Sequence, residues 1–421
     1  MSIRNAARFA IGAAAALAGA SASAFEFHGY FRDSEGFNSK GGTQVCFQLP
    51  GSDFKARLGN ECDRYLEMIF AETARVGKTE WKFEFMPAAY QPNSSSGAGN
   101  SLFLQQAWAG LKPDALSGAM IWAGRRYFRR HDVHSLDWFY WNPGQGNAAV
   151  GIEDIDIGFG KVAVSVFRMD ATKSTAVLNL TRGTYAVPEA RLYGMPVNPN
   201  GTLEVGVDVA FAVDQQSAIG AGRALASPLF TVQHNQKNLL GAAGSNALTV
   251  QYGMGALANE SGDGAGQLLA AGTKDDGQWR VIEQLVYNPT PELSGALVLV
   301  YQNKWTAGTV SNGASIFTGE LRPAFHFNDW FKFAVDAFFQ TLAVKNAPEG
   351  LGAATLFKLT AAPTFVVGRE YWSRPEIRLF ATWATWNANA VTLAGSDGMA
   401  SGVFGTAKSG ATFGASVELW F

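Results

Sequence analysis

Four aromatic residues stand where an alternating pattern places polar ones. From Gly410 to Phe421, Ala411, Phe413, Ala415, Val417, Leu419 and Phe421 form one series, and Thr412, Gly414, Ser416, Glu418 and Trp420 form the other. Such period-2 alternation makes a strand with one apolar and one polar face. Trp420 therefore sits on the polar face. Tyr30 shares parity with Glu26, His28 and Arg32, Tyr65 with Asp63 and Glu67, and Trp372 with Arg374, Glu376 and Arg378. Rings set among carboxylates and guanidinium groups can receive apolar C–H faces on their flat sides. The neighbouring charges form hydrogen bonds with hydroxyls that are stronger than neutral ones. A pyranose offers both surfaces, so the chemistry suggested here is sugar recognition without bond-making.

Motifs for bond-making do not compete with this reading. The chain contains no H-E-x-x-H, G-x-S-x-G or P-loop. Gly158-x-Gly160-x-x-Ala163 is part of a dinucleotide fingerprint, but it joins two strand-like runs and reads as a hairpin turn. His131-x-x-His134 has half the spacing of a metal site, with no cysteine or third histidine nearby. No metal, catalytic residue or cofactor is expected.

The elements that must position the four rings are strands. Of 421 residues only 16% are charged, while glycine is frequent at 47 and aromatics make up 13%. No run of about 18 apolar residues reads as a spanning helix, and amphipathic helical patterns are scarce beyond the N-terminus. Segments of about ten residues alternate instead, separated by Gly, Asn, Ser and Asp. In GTLEVGVDVAF, Leu203, Val205, Val207, Val209 and Phe211 oppose Thr202, Glu204, Gly206, Asp208 and Ala210. Runs of this kind begin near residues 25, 62, 79, 102, 118, 152, 161, 188, 202, 228, 246, 278, 293, 315, 330, 354, 375 and 410. They are eighteen in number, and an even count of strands with this dyad period is the mark of a transmembrane antiparallel β-barrel. The fold class is all-β. Residues 33–60, 91–100, 127–151 and 387–409 are expected as long external loops, and Gly158–Gly160 and Asn328–Asp329 as tight turns. A secreted β-sandwich or β-helix is the soluble alternative, but sandwiches rarely reach eighteen strands.

The N-terminus supports export. Arg4 and Arg8 precede a small apolar run, and Ala22-Ser23-Ala24 completes a leader peptide with an A-x-A cleavage site. The expected organisation is a signal peptide at 1–24 and one barrel domain at 25–421. The two cysteines, Cys46 and Cys62, are expected to pair in an exported chain. A formal net charge of −2 without polybasic runs gives no reason to expect a nucleic-acid partner.

The chain resembles the maltoporins, the trimeric sugar porins of Gram-negative outer membranes. The resemblance is carried by FHGYFR, CFQLPGSDFKARLGNECDRYLE, WAGRRYFRRHDVHSLDWFYW, GIEDIDIGFGK, YWSRPEIRLFATW and the terminal LWF. It implies a homotrimer in outer-membrane lipid that passes maltose, malto-oligosaccharides or other glucosides by diffusion, with an inward-folded constriction loop. It implies an aromatic slide of Tyr30, Tyr65, Trp372, Trp420 and Phe230. For Phe230, however, Leu229, Thr231 and Gln233 form an equally good inner face. It also implies a polar track of Arg32, Arg57, Glu67, Arg130, Asp132 and Asp137, the last three in the constriction. Three departures from the family pattern stand out. The second external loop has no Trp, Leu104 stands at the place of a track Arg, and Phe139 stands at the place of a Tyr. They imply weaker binding of long oligomers, and Phe139→Tyr is expected to tighten it. A general diffusion channel and an outer-membrane hydrolase are the rival functions.

Overall fold

Alternation closes into a ring. The computed structural model describes residues 24–93, 100–141, 148–173, 181–213, 226–241, 243–259, 275–305, 313–345, 347, 349–395 and 399–421. The expected leader lies outside these, apart from Ala24. The first five strands are β1 (Ala24–Asn38), β2 (Asp63–Val76), β3 (Thr79–Pro92), β4 (Ser101–Lys112) and β5 (Met120–Arg125). A small hairpin follows, β6 (His131–Val133) with β7 (Trp138–Trp141). Next come β8 (Ala148–Asp156), β9 (Lys161–Lys173), β10 (Thr181–Asn198), β11 (Gly201–Ala212), β12 (Ala226–Lys237), β13 (Ala243–Met254) and β14 (Gly277–Thr290). The last six are β15 (Leu293–Trp305), β16 (Ala314–His326), β17 (Phe331–Val344), β18 (Ala354–Val366), β19 (Glu376–Trp386) and β20 (Ser409–Trp420).

Omitting β6 and β7, eighteen strands form one antiparallel sheet, and β1 pairs with β20 to close it. Each of the eighteen expected runs corresponds to a spanning strand. Some limits differ. β10 begins at Thr181 rather than near 188, and residues 33–38, expected in a loop, extend β1 because Asp33–Asn38 pair with Thr412–Val417 of β20. Both expected turns, at 157–160 and 327–330, connect neighbouring strands.

Burial is inverted relative to a water-soluble protein. Ile377, Leu379, Phe413 and Val250 are exposed on the outer wall, while Arg378, Thr382, Thr412 and Glu418 are buried inside. Only a lipid surround rewards that distribution.

The interior is not empty. The loop between β1 and β2 folds inward, tied by the Cys46–Cys62 disulfide with Cα atoms 6.0 Å apart. Closing a loop of this length contributes about 3 kcal/mol in the chain-entropy picture. Phe47, Leu49 and Phe54 of this loop pack with Trp138, Tyr140 and Trp141 of β7 against Ile282, Val298, Val300, Ile316 and Phe338 on the inner wall. The wall anchors the loop's backbone as well. Lys358 donates to the carbonyls of Ala56 and Leu58, and Thr382 to that of Gly59. Gly59 has φ +62°, and an added Cβ would collide with the Thr382 side chain, so this close approach needs glycine. One side of the barrel is thus filled by its own loops, and open space remains beside β1–β5 and β20.

Candidate functional site

The four parity-selected rings meet at the closure seam. Register places Tyr30 of β1 opposite Trp420 of β20 on one side and Glu67 of β2 on the other; Arg32 lies opposite Glu418 and Tyr65. Ring centroids then run from Tyr65 to Tyr30 at 6.3 Å, Tyr30 to Trp420 at 6.3 Å, and Trp420 to Trp372 at 6.2 Å. These spacings make one continuous ladder. Trp372 departs from expectation in one respect: it lies in the 367–375 turn before β19, not within a strand. It still joins the ladder, its ring centroid 5.4 Å from that of His134 as well as 6.2 Å from that of Trp420. Arg374 fixes this corner, with its guanidinium 4.7 Å from the Trp420 ring centroid and its Nε donating to Glu418 at 3.0 Å.

A polar row runs beside the ladder. Arg32 pairs with Asp63 at 2.8 Å and Asp137 at 3.2 Å, and Lys55 with Glu61 at 3.3 Å and Asp137 at 3.2 Å. Arg57 contacts Glu61, reaches Glu418 at 3.3 Å and donates to the Tyr30 hydroxyl at 2.5 Å. That hydroxyl in turn donates to Glu418 at 3.0 Å. On the next rung, the Tyr65 and Tyr127 hydroxyls both donate to Glu67, at 2.7 and 3.0 Å. Each ladder tyrosine is therefore locked at its polar tip while its ring edges the lumen. Fixing rings before a solute arrives lowers the entropy lost on binding.

A cavity of about 650 Å³ opens against three of the four rungs, lined by Tyr30, Arg32, Arg57, Tyr65, Glu67, Arg130, Asp132, Asp137 and Trp420 among the expected residues, while Trp372 lies beyond its lining and reaches it only through Trp420 and His134. The β6–β7 hairpin forms one wall of the cavity. Just before the hairpin, Arg129 has φ +44°, which sends consecutive arginines apart. Its guanidinium lies 3.3 Å from the Tyr193 ring centroid, whereas Arg130 enters the cavity.

Phe230 does not join the site. Its ring is 51% exposed on the outer face beside Val232, while Leu229, Thr231 and Gln233 are buried inside. The inner-face alternative holds, and a ring directed to lipid cannot stack on a solute in the lumen. Leu104 is also corrected. Phe103 and Gln105 line the cavity, so Leu104 lies on the opposite parity and marks no missing track Arg. A register shift at Met86/Pro87 opposite it leaves both Gln105 and Gln106 buried, an irregularity that strict alternation cannot show.

Lys55, Glu61, Tyr127 and His134 were not anticipated. His134 is in van der Waals range of three ladder rings, with centroids 6.3, 5.4 and 5.8 Å from those of Tyr30, Trp372 and Trp420. Its own signal was the HDVH stretch, read above only for metal spacing.

The loop and hairpin groups set an acid limit. Burial alone would raise the Glu61 carboxyl, but Arg32, Arg57 and Lys55 together outweigh it and hold it at about 2, against an ordinary 4.5. Burial likewise opposes ionisation of Asp137, but Arg32 and Lys55 outweigh it and hold its carboxyl below the usual range. His134 is lowered, first by burial and then by Arg57. A depressed carboxylate contributes stability above its unfolded value and loses it as pH falls through the folded one. His134 favours its neutral form, so its contribution declines below 6.5. Thermal stability in detergent is therefore expected to be flat above pH 6.5, to decline gently below it, and to drop steeply between about 4.5 and 2. A midpoint unchanged at pH 3 would show that these ion pairs contribute nothing.

A closed antiparallel barrel with an apolar outside, a polar inside and a loop-narrowed lumen defines an outer-membrane porin. The chain belongs to the LamB porin family, whose model matches residues 25–421. That membership makes it a sugar-specific channel of the bacterial outer membrane and not an enzyme. Among solved structures it is similar to OmpF of Salmonella typhi in complex with daunomycin, with 10% identity over 94% of this chain and 97% of that one and a TM-score of 0.51. It is also similar to OccK2 (OpdF) of Pseudomonas aeruginosa, with 11% identity over 95% and 97% and a TM-score of 0.49. At such identity the OmpF likeness is one of fold.

Proposed function

We propose that the channel conducts malto-oligosaccharides or related glucosides along the ladder Tyr65–Tyr30–Trp420–Trp372, with Arg32, Arg57, Glu67, Arg130, Asp132 and Asp137 meeting the hydroxyl rim. The observation that carries this is the even ring spacing of 6.2–6.3 Å beside an unbroken polar row. Rungs so close let a sugar engage the next before leaving the last, and weak repeated sites conduct where one strong site would trap. The test is a planar-bilayer titration with glucose oligomers of increasing length. Ion current is expected to be blocked in a saturable way, with tighter block for oligomers long enough to cover several rungs. An open channel that no glucoside blocks would overturn the reading and favour general diffusion.

The reading includes a homotrimer and a cleaved leader. In support of the trimer, Arg64 on the outer face of β2 pairs with Asp33 at 3.0 Å and contacts Glu35, charges that a neighbouring subunit would cover better than lipid. The A-x-A site supports the leader. Native and denaturing mass measurements on protein from outer membranes are expected to give three copies, each beginning at Phe25, without alkylatable thiols before reduction. A monomer, or a chain retaining Met1, would remove the corresponding part.

A further inference from the structure

We propose that Phe139 and Tyr127 act as an aromatic clamp that presents Arg130 to the solute, so that Phe139 is a positioning residue and not a weakened contact. This deepens the sugar reading of the same cavity. The Arg130 guanidinium carbon lies 4.0 Å from the Tyr127 ring centroid and 4.2 Å from that of Phe139. Among the described residues Arg130 makes no ion pair and no side-chain hydrogen bond, although it borders the same cavity as Asp132 and Asp137. Its neighbours behave differently. Arg32 and Arg57 are committed to carboxylates, Arg126 binds Glu153 at 2.5 Å, and Arg129 lies against Tyr193. Arg130 is thus a cation held by ring faces with its N–H edges unspent.

The clamp walls are anchored without the arginine. Tyr127 donates its hydroxyl to Glu67 at 3.0 Å, and its backbone N–H donates to Gln106 at 2.7 Å. Phe139 is set by its pairing with Asp132 across the β6–β7 hairpin. Stacking grips the flat faces of a guanidinium and leaves its in-plane donors free, which an ion pair would not. A free arginine side chain loses much rotamer entropy on binding, whereas a stacked one has lost it already. A hydroxyl at position 139 would add nothing to this grip, so the tightening expected from sequence for Phe139→Tyr is replaced by a different expectation.

The test is a double-mutant cycle on Phe139 and Arg130 with two readouts, sugar block and the cation/anion permeability ratio in a KCl gradient. Phe139→Leu is expected to weaken block about three- to tenfold, the range of a cation–π contact, and to shift the permeability ratio. Phe139→Tyr is expected to recover what Phe139→Leu loses. Arg130→Lys, which keeps the charge but not the flat faces, is expected to resemble Phe139→Leu. In an Arg130→Ala background, Phe139→Leu should change neither readout further. Additive effects in that background would overturn the clamp, since they would show Phe139 touching the solute or merely holding the hairpin. If no sugar blocks the wild type, the sugar reading fails, and the permeability cycle still decides the clamp.

Discussion

Glu418→Ala is expected to destabilise the channel by about 3–5 kcal/mol, the range for removing one partner from a buried charge network. Glu418 is 3% exposed and gathers cations from three segments. Arg374 approaches at 2.9 Å, Arg378 at 2.5 Å and Arg57 at 3.3 Å, while the Tyr30 hydroxyl and His134 Nε2 each lie at 3.0 Å. Register also sets Glu418 opposite Glu376, two like charges facing across β19 and β20. Arg374, Arg378 and, on the Glu376 side, Lys332 at 2.5 Å make that pairing tolerable. Alanine would leave three largely buried guanidinium groups short of an anion, with little access to water in compensation. Glu418→Gln keeps the shape and part of the hydrogen bonding, so its loss should be smaller. Urea or thermal unfolding in detergent measures both. An alanine variant that unfolds at the wild-type midpoint would show that this carboxylate is not the hub the geometry makes it.

Trp420→Ala is expected to weaken sugar block about five- to tenfold while leaving open-channel conductance close to wild type. One aromatic platform contributes on the order of 1 kcal/mol beyond simple area burial, and this ring is the middle link between Tyr30 and Trp372. Its loss opens a gap of roughly two rungs and frees the Arg374 guanidinium that now lies over it. No charge is removed, so ion flow has little reason to change. Phe230→Ala supplies the comparison, because that ring is on the lipid side and its removal should leave block as it was. Equal effects of the two substitutions on block would contradict the placement of the ladder.

Much of this site could be read from sequence because a strand has a strict period. Once Glu418 is placed inside, Trp420 must be inside too, and the same logic places Tyr30 beside Arg32 and Tyr65 beside Glu67. The reading failed where the period fails. At β4 the register shift puts Gln105 and Gln106 inside together, and the family pattern set Leu104, which faces away from the cavity, at a track position. At β12, alternating polar and apolar residues left two phases open, and the family pattern chose the wrong one for Phe230. Trp372 was placed correctly relative to its neighbours but in the wrong element. Lys55, Glu61 and His134 could not be read by parity, because tertiary folding of loops brings the first two to the polar row and the third to the cavity wall. One signal was available. Ile282, Val298, Val300, Ile316 and Phe338 are apolar on the inward parity, which marks a wall awaiting something to pack against it.

The seam between β1 and β20 has a consequence for biogenesis. Tyr30 and Trp420 are nearly four hundred positions apart and become neighbours only when the ring zips shut, with Phe421 exchanging backbone hydrogen bonds with Gly29 at 2.8 and 3.1 Å. A hairpin-by-hairpin intermediate, however native its strands, holds two halves of a ladder and no whole one. With the ladder as the proposed sugar site, sugar affinity is expected to appear only on completed insertion. A half-threaded chain would be silent to it, and the appearance of sugar block in a reconstitution time course would mark the moment of closure.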